Sequence, residues 1–399
     1  MAKEPTELTE TFHVSESPVS RLAADYPPSG IRAVFEQVAK YDNVVKLTVG
    51  EPDFDTPEHI IEAGVRALRD GNTRYTPNGG SIPLRQAIAR KYSAAWSRPF
   101  TEENVMITLG GAEGLLLSFM ASLEPGDEVL VPDPGFPSYE GQAHLIGAIP
   151  VRVPLAAESG FKMTADLVAP LITERTRALV VNAPSNPLGT TLSQEEFQGL
   201  IDLSKEHGFT IISDEVYDRI VYDGKEHVSV AKADPDFDNY LIINSFSKSY
   251  AMTGWRLGYV IGPKRFLTLM PRMQEGVASC VPGFIQEAGL AAIEGPDDDL
   301  HKMVTEYQKR RDLVVDGIRT IDGLDCATPG GAFYAFVDIR ATGKTSAQFA
   351  TQLLEEQRVA VVPGTAFGSG GEGFLRLSYA ASEDTIRAAI HGFAEFMKK

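Results

Sequence analysis

Ser245-Phe-Ser-Lys-Ser-Tyr-Ala-Met-Thr-Gly-Trp-Arg256 is the stretch on which the reading of this chain turns. It sets one lysine, Lys248, among hydroxyl side chains and closes on an arginine. Leu241-Ile-Ile-Asn precedes it and Leu257-Gly-Tyr-Val-Ile-Gly262 follows it, both short apolar runs of strand type. The cluster is therefore predicted to lie on a loop between two strands, the place where a rigid scaffold commonly holds chemistry.

A lone lysine in a serine-rich turn is ordinarily a solvated surface charge. Here Ser245, Ser247 and Arg256 supply donors suited to a phosphate, and arginine offers a planar fork that binds oxyanions through two bonds. An amine beside a phosphate site points to pyridoxal 5′-phosphate, whose aldehyde condenses with a lysine amine. Its ring calls for a carboxylate at the pyridine nitrogen, donors to the ring oxygen and a flat or apolar group against its face.

The chain offers a candidate for each. Asp214 ends the apolar run Thr210-Ile-Ile-Ser, and open α/β sheets bind ligands at the carboxyl ends of their strands. A helix cap is the plainer explanation for an aspartate there. Tyr217 follows three residues later, and Asn186 stands in the turn Asn182-Ala-Pro-Ser-Asn-Pro-Leu-Gly189; both have hydrogen-bonding groups for the ring oxygen. Phe136, in Asp133-Pro-Gly-Phe-Pro-Ser-Tyr139, is a candidate to stack on the ring, although an aromatic in such a loop more often only packs. Gly110-Gly-Ala-Glu-Gly114 ends a strand and opens the apolar helix Leu115 to Leu123, so its N–H groups and the helix N-terminus suit an anion, with an ordinary tight turn as the alternative. Arg376 lies inside the apolar strand Phe374-Leu-Arg-Leu-Ser-Tyr379, where burial demands a partner: a substrate carboxylate or a structural salt bridge.

Working outward, short apolar runs (105–109, 128–131, 178–182, 210–213, 241–244) alternate with amphipathic helices, a rhythm that predicts an α/β fold with a mostly parallel sheet sandwiched by helices. Ser193-Gln-Glu-Glu196 is a capping box that opens a helix to His207. Upstream come a polar N-terminal arm to Pro28, a helix from Ile31 to Lys40, a strand Val44–Val49 ending at Gly50-Glu-Pro-Asp, and a helix to Asp70 with Thr56 as its cap and Pro57 at its first position. Past Gly262 the rhythm breaks. A long helix (297–321), the run Gly330-Gly-Ala-Phe-Tyr-Ala-Phe-Val337, strands at 359–362 and 374–379, and a final helix from Ser382 predict a smaller α+β domain. The division expected is 1–55 as N-terminal arm and part of the small domain, 56–285 as the large domain, and 286–399 as the C-terminal small domain.

With 399 residues, 43% of them hydrophobic, the chain is long enough for two domains and a large core. A formal net charge of −17 argues against nucleic acid as a partner. Two cysteines make no disulfide framework, no Cys/His pair has metal-ligand spacing, and the start of the chain lacks the apolar core of a signal peptide. No apolar run reaches spanning length, so no membrane partner is expected and a reducing cytoplasm fits.

Asn182-x-Pro-x-Asn-Pro-x-Gly189, Asp214-x-x-Tyr217 and Ser245-x-Ser-Lys248 with Gly254-Trp-Arg256 together resemble the class I/II aminotransferases of pyridoxal-phosphate fold type I, in the order of that family and over nearly the whole chain. The resemblance implies that Lys248 carries the cofactor, Asp214 meets the pyridine nitrogen, and Tyr217 and Asn186 meet the ring oxygen. It gives Ser245, Ser247, Arg256 and the turn Gly111-Ala112-Glu113 to the phosphate, Phe136 to the ring face, and Gly50, Asn186 and Arg376 to the substrate. Tyr75 falls where the family sends a tyrosine across a dimer interface to the partner's phosphate, which implies a homodimer with shared active sites. Two departures stand out: Ala112 lacks a polar group, and Glu113 brings a carboxylate into a phosphate turn, unfavourable unless its side chain points away.

The activity so implied is transfer of an amino group between an amino acid and a 2-oxo acid such as 2-oxoglutarate, for which the Lys248 amine needs a lowered pKa. Arg256 and cofactor attachment both favour that. A carbon–sulfur lyase and a non-catalytic regulator that binds the cofactor are the rival readings, the latter without a helix-turn-helix segment or basic patch to support it. Lysine stands at the Ala112 position in one branch of the family, where it meets an acidic substrate side chain. Its absence here, with an apolar wall from Phe136 and, as the resemblance implies, from Ile31 and Phe333, predicts aromatic or large neutral donors and poorer use of aspartate. Arg32 is the residue that would reverse this, and aspartate aminotransferase is the alternative activity.

Overall fold

Val105–Thr108, Gly258–Ile261, Tyr240–Ser245, Thr210–Asp214, Thr176–Asn182, Glu128–Asp133 and Ile149–Pro154 lie side by side, in that order, as one seven-stranded sheet. The structure, a computed structural model, describes residues 18–28 and 30–398, so residues 1–17 of the expected arm lie outside the described residues. Only Gly258–Ile261 runs antiparallel to its neighbours. Side chains alternate between the faces: Leu179, Val181, Ile211 and Ile242 join one apolar cluster, and Ala178, Val180, Ile212 and Ile243 join another. Burial on both faces is why these strands read as continuous apolar runs rather than as alternation.

Helix Gly110–Ser122 is apolar on nearly every side and buries Leu115, Leu117 and Phe119 against the sheet. Gln194–His207 opens on the expected capping box, with the Ser193 hydroxyl accepting from Glu196 N–H and the Glu196 carboxylate accepting from Ser193 N–H. Ile149–Pro154, with two prolines, escapes the sequence reading; it is a half-exposed edge strand, where proline is tolerated.

A second, antiparallel sheet orders Val362–Pro363, Phe374–Ser378, Tyr334–Asp338 and Asp325–Cys326. Helices Asp298–Arg319, Ser346–Gln357 and Glu383–Met397 cover it around a third apolar cluster. The N-terminal part joins this unit: Val45–Lys46 pairs in parallel with Val359–Ala360. The expected strand 359–362 is thus two strands in two sheets.

Helix Glu58–Arg69 corrects the expected cap. Its N-cap is Pro57, and the Thr56 hydroxyl instead donates to Ala251 O at 2.7 Å and accepts from Trp255 Nε1 at 3.2 Å. Thr56 therefore ties this segment to the loop after Lys248. Arg310 grips Asp53 from the long helix (2.9 and 2.7 Å to its two oxygens), which holds Gly50-Glu-Pro-Asp in place. Among the described residues no helix is long and apolar enough to cross a membrane.

Candidate active site

Three parallel strands end together at Asn182, Asp214 and Ser245, with Asn182 and Asp214 paired in register. A cavity of about 540 Å³ opens at these ends, within the range of about 300–1,000 Å³ usual for small-molecule sites. Lys248 enters it from the short helix Phe246–Ser249, and its Nζ donates to Gly50 O at 2.5 Å. Burial pushes the Lys248 amine down to about 8, with Arg376 and Arg256 adding to the shift and Glu51 and Asp214 opposing it. Burial, more than the expected neighbour Arg256, is thus what readies this amine.

Asp214 lines the same cavity as Lys248. Its Oδ2 accepts from Tyr139 Oη at 2.6 Å and its Oδ1 from Val216 N–H at 3.4 Å. Burial raises its carboxyl to about 6, and those two hydrogen bonds restrain the rise. A cation placed against it would hold it ionised.

Ser245 Oγ donates to Ser247 Oγ at 2.8 Å and accepts from Ser247 N–H at 3.1 Å. Arg256 lies across from them, held by Nη1 donating to Thr253 O at 2.9 Å. Gly110 makes this possible: its φ is +73°, and a Cβ there would stand 2.6 Å from Arg256 Nη2. Gly111 and Ala112, in the first turn of the helix where N–H groups lack intrahelical partners, line the same cavity.

Arg376 is 2% exposed. Its Nη1 donates to Asn186 Oδ1 at 3.1 Å and its Nη2 to Thr48 O at 2.7 Å, and its Nε has no partner. The guanidinium packs on the rings of Tyr334 and Phe367, 4.7 and 4.8 Å from their centroids. Among the described residues it pairs with no carboxylate, so the structural salt bridge is not its partner.

Gly50, Phe136, Asn186 and Tyr217 also line the cavity, so twelve of the fourteen residues that the sequence reading gave to the cofactor or the substrate α-carboxylate meet there. Glu113 is a correction to that set. Its carboxylate turns into the protein, where it accepts from Leu109 N–H at 2.6 Å, and it does not face the cavity. Tyr75 is 92% exposed and lies outside the cavity of its own chain. Ile31 lines the wall as expected, whereas Phe333 lies behind it, its ring centroid 5.8 Å from Lys248 Nζ.

Two tyrosines escaped the sequence reading. Tyr139 props Asp214, and Tyr334 shares a 2.8 Å hydroxyl contact with Tyr217 while its ring meets Arg376. No spacing announces a contact across 75 or 117 residues; only the aromatic character of the Asp133–Tyr139 loop and the Gly330–Val337 run hinted at it.

These residues fit pyridoxal 5′-phosphate. An anion cradle of N–H groups, hydroxyls and a guanidinium, a buried carboxylate and a buried amine of lowered pKa face one cavity, and Gly110 leaves room for the arginine. The sequence model of the family "Aminotransferase class I and II" matches residues 42–393. An aspartate aminotransferase of Pyrococcus horikoshii is 41% identical, with 91% of this chain and 93% of that protein aligned. An aromatic-amino-acid aminotransferase of Thermococcus litoralis is 39% identical over 93% of this chain and 96% of its own length. The crystal structure of the aspartate aminotransferase from Rhizobium meliloti superposes with a TM-score of 0.91 at 36% identity, covering 96% of this chain and 99% of that one. With the family matched over most of its length and the cavity built to suit the cofactor, this chain belongs to the class I and II aminotransferases, which depend on pyridoxal 5′-phosphate.

Proposed function

We propose that the enzyme moves the amino group of an aromatic or large neutral L-amino acid to a 2-oxo acid such as 2-oxoglutarate, in two half-reactions at the Lys248 cavity. The observation that carries the reading is Arg376: a buried guanidinium without a carboxylate partner among the described residues, opening on the cavity that holds a buried amine. When bound, pyridoxal phosphate supplies an aldehyde that condenses with amines and a ring that accepts the electron pair left as Cα loses its proton. Lys248 would hold the cofactor, and its Nζ, when free, would take the Cα proton of the substrate and return it. Asp214 meets the ring nitrogen as a carboxylate and keeps it protonated, with Tyr139 fixing its orientation. Tyr217 and Asn186 donate to the ring oxygen and Phe136 covers a face. Arg256, Ser245, Ser247 and the N–H groups of Gly111 and Ala112 hold the phosphate. Arg376 and Gly50 orient the substrate α-carboxylate, and a bidentate pair there fixes which Cα bond faces Lys248.

Donor choice follows from charge. Among the described residues the cations that line the cavity are Lys248, Arg256 and Arg376, each with a task already, and Ile31, Phe35, Val49 and Phe136 offer an apolar wall. A second substrate carboxylate would sit there unpaired, which is costly in a partly dry site. Phenylalanine, tyrosine and methionine are therefore expected to exceed aspartate in kcat/KM by about tenfold or more, measured with 2-oxoglutarate as acceptor. A clear preference for aspartate would overturn the donor assignment and leave the cofactor chemistry standing. The names of the relatives from Pyrococcus horikoshii and Rhizobium meliloti favour that second reading, aspartate aminotransferase.

The same reading makes the enzyme a cytoplasmic homodimer with residues 56–285 as the cofactor-binding domain, 286–399 as the small domain and 1–55 as an arm that also completes the small domain. Tyr75, exposed on its own chain, reaches the phosphate of the partner's site. Tyr75→Phe is expected to weaken cofactor retention by about 1.5–3 kcal/mol, the contribution of a hydrogen bond to a charged group. Cofactor release followed by ultrafiltration measures it, and unchanged retention would rule out the shared site.

A further inference from the structure

Glu113 is a buried carboxylate in the first turn of the helix that presents Gly111 and Ala112 to the cavity, and nothing in the proposed chemistry uses it. It is 7% exposed. One oxygen, Oε2, accepts from Leu109 N–H at 2.6 Å and from Gln274 Nε2 at 3.1 Å; the other, Oε1, is buried without a partner. Leu109 is the N-cap of Gly110–Ser122 and has no side-chain acceptor of its own. A carboxylate at a helix N-terminus is drawn to the free N–H groups there, where it would compete with a phosphate. Glu113 instead takes the N-cap amide, just outside the turn, and leaves Gly111 and Ala112 open to the cavity.

Gln274 is what holds it there. This side chain is fully buried, and its Nε2 also donates to Ile107 O at 2.9 Å while its Oε1 accepts from Gly79 N–H at 2.8 Å. Gly79 O in turn accepts from Ile107 N–H at 2.9 Å, and Gly80, at φ +97°, lies so close that a Cβ would meet Ile107 Cγ1 at 2.2 Å. The far end of this strut is therefore the loop Arg74–Gly80, which carries Tyr75. A second glutamine secures the same loop: Gln286 Oε1 accepts from Ser81 N–H at 2.7 Å and its Nε2 donates to Thr76 Oγ1 at 3.1 Å.

We propose that Glu113 is a positioning residue: through Leu109 N–H and Gln274 it locks the phosphate turn to the Tyr75 loop, so that the donors this chain gives to its own phosphate and the one it gives to the partner's keep a fixed relation. This rests on the reading of the turn as the phosphate site. It explains how an acidic residue is accommodated beside an anion, since its charge is spent on two donors that face inward.

The test is equilibrium binding of pyridoxal 5′-phosphate and of pyridoxal, which lacks the phosphate, to the cofactor-stripped full chain. Capture by Lys248 is common to both ligands, so the ratio of their Kd values isolates the phosphate contribution. In Glu113→Ala the ratio is expected to fall by about tenfold, whereas Glu113→Gln, which keeps an acceptor for Leu109 and Gln274, stays within about threefold of the parent. A merely structural role would weaken both ligands alike. Gln274→Met keeps the side-chain volume but cuts the strut, and is expected to lower the ratio as Glu113→Ala does; it decides the matter if the alanine variant does not fold. An unchanged ratio in folded Glu113→Ala, or in Gln274→Met, overturns the proposal alone. A parent enzyme that binds pyridoxal as tightly as its phosphate overturns the phosphate reading and this proposal with it.

Discussion

Lys248→Ala is expected to lower kcat by at least about 10⁴-fold, because in the proposed mechanism the one side chain serves as both the point of cofactor attachment and the base, and a positioned base alone contributes about 10²–10⁴. The reason lies in where the amine is held. Its Nζ rests on Gly50 O at the cavity wall, and burial has already brought it to about 8, so a useful fraction is neutral at physiological pH. Among the described residues no other lysine lines the cavity to replace it. Turnover with phenylalanine and 2-oxoglutarate measures the loss, and the absorbance of the lysine-bound cofactor should vanish with it. Residual activity above about one part in a hundred would mean that another group takes the Cα proton.

Asp214→Asn ranks second, with kcat expected to fall by about 10²–10³ and KM to move far less, the pattern of a charge interaction that matters most in the transition state. An amide keeps the size of the carboxylate and can still accept from Tyr139 or Val216 N–H, so the pocket keeps its shape. What it cannot do is stabilise a positive ring nitrogen. Burial raises the Asp214 carboxyl to about 6, and a cationic partner would offset that rise. Steady-state kinetics distinguish the outcomes: a rise in KM at constant kcat would place Asp214 in binding alone.

The fold was legible because its strands are buried on both faces. Runs such as Thr210–Asp214 carry no alternation to confuse with a helix, and the Ser193 capping box marks a helix start by its own hydrogen bonds. Where exposure or a change of sheet intervened, the pattern was lost. Ile149–Pro154 is an edge strand with prolines, and the run from Val359 feeds two sheets in four residues. In the site, residues that act through their own chemical type were readable: a lysine among hydroxyls, an arginine in an apolar strand. Residues that act through another were not. Tyr139 and Tyr334 owe their place to chain crossings that no local spacing encodes, and the inward turn of Glu113 depends on Gln274, 161 residues away.

Trapping the cofactor on the cofactor-stripped chain with borohydride, at a series of pH values, and then locating the added mass by peptide mapping puts the account to its most direct test. The amine must be neutral to attack the aldehyde, so trapping should quicken as pH rises and reach half its limiting rate near about 8, well below the ordinary lysine value of 10.5. The account predicts one added pyridoxyl phosphate, on the peptide that contains Lys248. Mass on a different lysine, or a profile centred near the ordinary value, would contradict it.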